Sequence, residues 1–239
     1  RLAQQAGHTI TELRPSLVSL VANGKDCPAL QGLSLKNVAI HVIDTKQNKE
    51  IYDDFGEMMF THYGVTGPMI LSASSHMRNM EPNRYQISID LKPALSLEQL
   101  DTRLQKDFAE NQNKDFINSL GALLPRKLIP VMVAKSGIAP NQKCNQITKE
   151  QRRRFAQELK GFNVMIKRFR PIDEAIITSG GVSVKEISPK TMESKLVKGL
   201  YFAGEVIDAD AYTGGFNLQI AFSTGYLAAT AIAQAQWEI

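Results

Sequence analysis

Up to about Leu91 the apolar residues come in short runs set between turn formers, whereas beyond Ser96 they recur every three or four positions. The first stretch predicts strands. Residues 8–13 and 17–21 flank Pro15, and Val38, Ile40 and Val42 alternate with Ala39, His41 and Ile43. The polar run 46–49 turns the chain into Ile51, Tyr52 and Asp53 as a hairpin, and 58–60 and 86–91 supply two more strands. Strands this short and this closely spaced suit a small barrel or a curled antiparallel sheet.

Ser96 and Gln99 form a capping box, with Leu97, Leu100, Leu104 and Phe108 at helical spacing behind it. Pro125 suits a first helical position before Lys127, Leu128 and Ile129, Pro130 is expected to kink any continuation, and Gly137 with Pro140 closes the stretch. Thr148 and Gln151 form a second box, heading a helix with Phe155 and Leu159 on its apolar face and Gly161 at its end. The middle of the chain is therefore a set of short helices.

Strand character returns with Phe162, Val164 and Ile166 in alternation, then at 175–178, then in the continuous apolar run 200–203, which reads as a strand buried on both faces. A Gly-rich loop follows, and 216–235 reads as a long helix whose small residues, Ala221, Ser223, Gly225, Ala228, Ala229 and Ala231, let it lie close to a sheet.

With 43% hydrophobic residues over 239 positions the chain can bury one or two ordinary cores. No run of about 18 apolar residues occurs, so no membrane span is expected. Cys27 and Cys144 are far apart and outside any Cys-x-x-Cys arrangement, which argues neither a disulfide framework nor a metal site and suits a reducing cytoplasm. The net charge of +4 comes from 28 basic residues interspersed with 24 acidic ones, so nucleic acid is not an expected partner. The opening Leu2-Ala3-Gln4-Gln5-Ala6-Gly7 reads as the last turn of a helix capped by Gly7, so the chain is expected to be a piece of something longer.

Chemistry concentrates in Gly199-Leu200-Tyr201-Phe202-Ala203-Gly204-Glu205-Val206-Ile207-Asp208, followed by Thr213-Gly214-Gly215-Phe216-Asn217-Leu218-Gln219. A strand ending in Gly204-Glu205 puts a carboxylate at the carboxyl edge of a sheet, where it can accept bonds from sugar or ribityl hydroxyls. Gly214 and Gly215 let backbone approach a ligand closely, and the helix that follows offers unpaired N–H groups and a positive dipole end. Asn217 and Gln219 add side-chain donors and acceptors. The competing reading makes the glycines a tight turn and Glu205 and Asp208 solvated acids.

These residues resemble the C-terminal signature of the aminoacetone-oxidase-like, or BaiN-like, NAD(P)/FAD-dependent oxidoreductases. Three further blocks resemble motifs of that family in the same order: Gly7-His8 leading into Pro15-Ser16-Leu17-Val18, the run from Phe60 through His62 to Pro68, and Thr178-Ser179-Gly180-Gly181-Val182 with Thr191-Met192-Glu193-Ser194-Lys195. The resemblance implies an α+β, multidomain flavoprotein. In that plan residues 1–93 and the return strand 162–175 form a β-barrel insert, 94–161 a helical subdomain, and 176–239 the C-terminal strand-helix part of a Rossmann-like FAD-binding domain. It implies hydride transfer between FAD and a small organic substrate, with NAD(P) a possible redox partner. It places Glu205 near the ribityl or pyrophosphate region, Gly215, Phe216, Asn217 and Leu218 at the isoalloxazine edge, and residues 178–182 along the flavin.

No Gly-x-Gly-x-x-Gly follows a strand anywhere in the chain, so the loop that cradles the pyrophosphate is expected in an N-terminal half-domain outside these residues. The piece alone is accordingly expected to hold FAD weakly and to be inactive. His62, between a strand and the turn 64–68, is a candidate proton donor or acceptor, although a lone His is more often structural. Arg152-Arg153-Arg154 reads as a solvated helix face beside Glu150 and Glu158. The alternative function is a non-enzymatic barrel and helical module using a basic surface to bind RNA or protein.

Overall fold

In the computed structural model, which describes residues 1–236, the alternating first part of the chain closes into a barrel. The strands in chain order are β1 (Arg14–Ser16), β2 (Leu20–Ala22), β3 (Ser34–Asp44), β4 (Lys49–Phe60), β5 (Gly64–Thr66), β6 (Tyr85–Asp90), β7 (Phe162–Phe169) and β8 (Ile177–Ser179). The helices are α1 (Leu2–Gln5), α2 (Asp26–Ala29), α3 (Pro68–Ser74), α4 (Leu97–Glu110), α5 (Phe116–Ser119), α6 (Ile129–Ser136), α7 (Lys149–Lys160) and α8 (Phe216–Gln236). Two compact units result, one from Leu20–Arg168 and one that joins Arg1–Ser19 to the chain from Phe169 onward.

In the first unit the barrel order is β2-β5-β4-β3-β6-β7. Val38, Ile40 and Val42 of β3 point inward and are buried, as their alternation requires. Phe60 and Phe162 meet edge to face inside the barrel, their centroids 5.9 Å apart. Each such buried ring contributes roughly 1.5–3 kcal/mol. Arg84 donates from Nε (3.1 Å) and Nη2 (2.9 Å) to Asp44 at the end of β3, and that contact holds the Asp44 carboxyl below the usual range. Gly67 (φ +107) caps α3 with Pro68 behind it, which gives the Thr66-Gly67-Pro68 turn a structural reason.

Both predicted capping boxes are present: Ser96 and Gln99 head α4, and Thr148 and Gln151 head α7. Phe116 is the hub of the helical part, edge-on to Phe108 at 5.9 Å and to Phe155 at 5.2 Å. Pro130 does not kink a helix. α6 begins at Ile129, so the proline falls in the first turn, where its missing N–H has no intrahelical partner to lose.

Residues 1–93 were expected to open the barrel insert, but Arg1–Ser19 belong to the other unit, where β1 pairs with β8: Arg14 faces Ser179, Pro15 faces Thr178 and Ser16 faces Ile177. The expected strand 17–21 begins only at Leu20, because Leu17 takes a left-handed conformation (φ +53) and breaks the extended run. The expected doubly buried strand 200–203 is also absent. Tyr201 makes one isolated bridge to Glu193, and of these four residues only Phe202 is buried, because no second strand flanks them among the described residues. No helix among the described residues is long and apolar enough to cross a membrane.

Candidate functional site

The predicted glycine and carboxylate residues all belong to the unit that contains both chain ends. Its framework starts at α1, where Gly7 N–H donates to Gln4 O at 3.0 Å and His8 N–H to Ala3 O at 3.1 Å, a Schellman closure that turns the chain extended. Beyond the pairing of β1 with β8, Ile10 makes an antiparallel bridge to Val182, one residue out of the β1–β8 register. Thr11 fixes it three times: its N–H and hydroxyl donate to Gly181 O at 2.9 and 3.1 Å, and its Oγ1 accepts from Gly181 N–H at 2.9 Å. Val182 also runs parallel to Ile207, donating to Val206 O and accepting from Asp208 N–H, both at 2.9 Å.

The glycines of the Thr178–Val182 block therefore have a cause inside the protein. A Cβ on Gly180 (φ +93) would lie 2.2 Å from Glu12 O, and one on Gly181 (φ +146) 2.5 Å from Val206 O. Gly214 and Gly215 differ. Both have positive φ, +105 and +89, yet a Cβ on Gly215 would meet nothing within 4 Å. Their loop needs a left-handed backbone and leaves open space in front of Gly215.

The loop that carries the carboxylates is braced on both sides. Gly204 N–H donates to Thr224 Oγ1 at 2.9 Å, and Thr224 returns its own proton to Ile220 O at 2.7 Å on α8. Asp210 accepts from Ser16 Oγ and Ser179 Oγ, each at 3.0 Å, tying β1 and β8 to the loop. The Asn217 amide donates to Ala211 O and accepts from Ala211 N–H, both at 2.8 Å. Between these braces Glu205 and Asp208 make no side-chain hydrogen bond among the described residues, so their oxygens are available to a ligand.

The candidate residues thus divide by role. Glu205, Asp208, the backbone of Gly204, Gly214 and Gly215, and the first turn of α8 from Phe216 through Leu218 form an open edge. Ser179, Asn217 and Gln219 have partners within the protein, the last donating to Ser223 Oγ at 2.9 Å. Thr178 lies in β8 opposite Pro15. His62 belongs to the barrel unit, where it is exposed and edge-on to Tyr63 at 4.9 Å. Sequence reasoning missed Asp210, Ser16, Thr11 and Thr224, whose partners lie far along the chain.

Two further features frame this edge. Leu218, Phe222 and Tyr226, four residues apart on α8, are 59%, 69% and 76% exposed and make an apolar stripe open to solvent. A cavity of about 260 Å³ is lined by Val184, Ile187, Met192, Ile207, Thr224 and Leu227. Nearby, His8 is buried with Nε2 2.8 Å from Ser194 Oγ. That oxygen also accepts from the N–H groups of Leu196 and Val197, so its own proton goes to Nε2 and the His8 proton sits on Nδ1, which is buried without a hydrogen-bond partner among the described residues. Glu193 accepts from Gly199 N–H at 2.8 Å and braces the turn before Tyr201.

Comparison with known proteins adds three findings. The model of the HI0933-like protein barrel and H2TH domain matches residues 14–177. The chain is 29% identical over 235 residues to a 3-dehydro-bile acid delta(4,6)-reductase of Clostridium scindens, a match covering 98% of this chain and 57% of that protein. It is 30% identical to ribosomal RNA dihydrouridine synthases of Escherichia coli, over 96% of this chain and 54% of that one, and of Haemophilus influenzae, over 98% and 55%. The chain therefore spans a little over half the length of these relatives.

Proposed function

The chain belongs to the HI0933-like protein barrel and H2TH domain family, and from that premise we propose that it is part of an FAD-dependent reductase. The observation that carries the reading is the open edge around Gly215: a left-handed Gly-Gly turn with free space before it, leading into a long helix, in the same unit as Glu205 and Asp208, which make no side-chain hydrogen bond among the described residues. The relatives are by name a reductase and dihydrouridine synthases, which supports flavin redox chemistry at this coarse level.

The residues present fit the flavin. Carboxylates are acceptors only, so Glu205 and Asp208 suit ribityl hydroxyls. The first N–H groups of α8 and its positive end suit the electron-rich edge of the ring. When bound, FAD supplies the hydride donor and acceptor chemistry, either from NAD(P)H or from another reductant. The protein's part is to hold and orient. Asn217 fixes the Gly214–Gly215 loop through Ala211, and Asp210 locks that loop to β1 and β8. The stripe of Leu218, Phe222 and Tyr226 is the surface on which a further α/β segment docks and brings the pyrophosphate loop. The extra length of the relatives supplies such a segment, and the exposed apolar face needs a cover.

The test is the visible absorbance of the protein purified at the full length of its relatives, with Asp208→Asn and Gly215→Ala beside it. Bound flavin in the parent and its loss in both variants supports the site. A parent that takes up no FAD overturns the reading.

A further inference from the structure

The pocket of about 260 Å³ lies against the buried core of the unit that contains both chain ends. Its floor is Ile187, Met192 and Ile207, all buried, and its mouth is Val184 and Ser223, both exposed. No charged side chain lines it. Met192 holds a left-handed backbone (φ +60), which bulky residues rarely adopt. Its N–H donates to Ser188 O at 2.8 Å and its carbonyl accepts from Phe202 N–H at 3.0 Å, so the hairpin around 188–193 keeps it there. Backbone strain of this kind persists only where its surroundings over-determine it, and it gathers at ligand clamps.

Thr224 and Leu227 line the pocket from α8, and helical geometry puts them roughly half a turn around the helix from Phe222. The exposed stripe of Leu218, Phe222 and Tyr226 is therefore on the opposite side of α8, and a segment laid on that stripe leaves the pocket accessible. Polar groups in the lining are few. Thr224 Oγ1 is engaged, accepting from Gly204 N–H at 2.9 Å and donating to Ile220 O at 2.7 Å. Ser223 Oγ accepts from Gln219 Nε2 at 2.9 Å, while its own proton has no acceptor among the described residues. The pocket thus offers apolar walls and one hydroxyl donor at the mouth.

We propose that this pocket is an accessory ligand site for a neutral, largely apolar molecule the size of two fused rings and carrying one hydrogen-bond acceptor. A dry apolar cavity of about 150 Å³ admits benzene, so this one has room for a second ring. A charged molecule would enter walls that give it no partner. The acceptor is placed by the Ser223 hydroxyl. The site goes beyond the flavin reading and rests on its lining alone. It does share a wall with the carboxylate loop: Ile207 immediately precedes Asp208, and Thr224 holds the N–H of Gly204. A molecule packed against both steadies the loop that carries Glu205 and Asp208.

The test titrates indanone, a neutral two-ring ketone, into protein labelled at its methionine methyl groups and follows them by NMR. Met192 is one of eight methionines, and the other seven lie within Leu20–Arg168, so they serve as internal controls. A saturable shift of the Met192 methyl is expected while the other seven stay in place, with slower amide exchange at Gly204. Ser223→Phe and Val184→Phe, at the exposed mouth, fill the pocket and are expected to abolish the shift, with circular dichroism confirming the fold of each. Ser223→Ala is expected to weaken indanone by roughly threefold to tenfold, the effect of one lost hydrogen bond. A Met192 methyl that does not move, an undiminished shift in both folded filling variants, or equally tight binding of indane carboxylate overturns the site. Loss of the shift in the protein at the full length of its relatives overturns it too, because the rest of the polypeptide then fills the pocket. A shift without slower exchange at Gly204 overturns the coupling to the carboxylate loop. None of these readouts involves flavin, so the failure of this site and the failure of the flavin reading are told apart.

Discussion

The side-chain amide of Asn217 meets the backbone of Ala211 twice, donating to its carbonyl and accepting from its N–H, both at 2.8 Å. This pair mimics one rung of a sheet and fixes the loop in front of α8 before any ligand arrives. Asn217→Ala is expected to cost about 1 kcal/mol in urea unfolding. In the full-length protein it is expected to weaken FAD by roughly tenfold, equivalent to about 1.4 kcal/mol of loop ordering moved to the binding step. Unchanged flavin affinity would show that the loop orders itself without the amide.

Gly181 and Gly215 separate folding from binding. Gly181→Ala places a Cβ 2.5 Å from Val206 O, and because that neighbour is backbone the chain itself must move. A loss of more than about 1 kcal/mol is expected, with much faster hydrogen exchange at Thr11 and Val182. Gly215→Ala meets nothing within 4 Å and carries only left-handed strain of about 1–2 kcal/mol, so it is expected to stay folded while losing flavin. Thermal melts beside flavin absorbance distinguish the two, and a folded, flavin-replete Gly215→Ala protein would move the ligand away from this turn.

Asp210 braces the loop before α8. Its two oxygens are taken by Ser16 and Ser179. Asp210→Ala is expected to cost about 1 kcal/mol and to speed exchange of the amides in β1 and β8. Ser16→Ala and Ser179→Ala should each reproduce part of that effect, and the double mutant with Asp210→Ala should be less than additive. Full additivity would mean that the clamp does not act as a unit.

Glu186 gives the same unit an acid limb. The Thr9 hydroxyl (2.7 Å) and the Thr9 N–H (2.9 Å) both donate to its carboxylate and hold its pKa below the ordinary value. A lowered folded pKa means stability that is present above the unfolded value, about 4.3, and that is lost as pH falls through the folded one. Urea unfolding at stepped pH is expected to show this loss in the parent and a flatter profile in Glu186→Gln. Identical slopes would assign the acid limb to other carboxylates.

What could be read along the chain was whatever depends on neighbours in sequence. Alternation at Val38, Ile40 and Val42 located β3, the pairs Ser96 with Gln99 and Thr148 with Gln151 located the starts of α4 and α7, and small residues marked α8, because pleat, cap and helical face are set within a few residues. The Gly-Gly turn and the carboxylates beside it were legible for the same reason.

Tertiary structure alone decided which hydroxyl meets which acid and which strand finds which partner. Residues 8–16 read as barrel strands by pattern but pair with 177–183, since a short strand carries no record of a neighbour more than a hundred residues away. Asp210 reaches Ser16 across 194 positions, and Thr11 reaches Gly181 across 170. The same distance in sequence explains why residues 200–203 looked like a buried strand: their apolar run states a need for cover, while the cover itself lies on other parts of the polypeptide. Local chemistry thus determined the elements and the open glycine edge, and packing determined that Ser179 and Asn217 hold the edge in place.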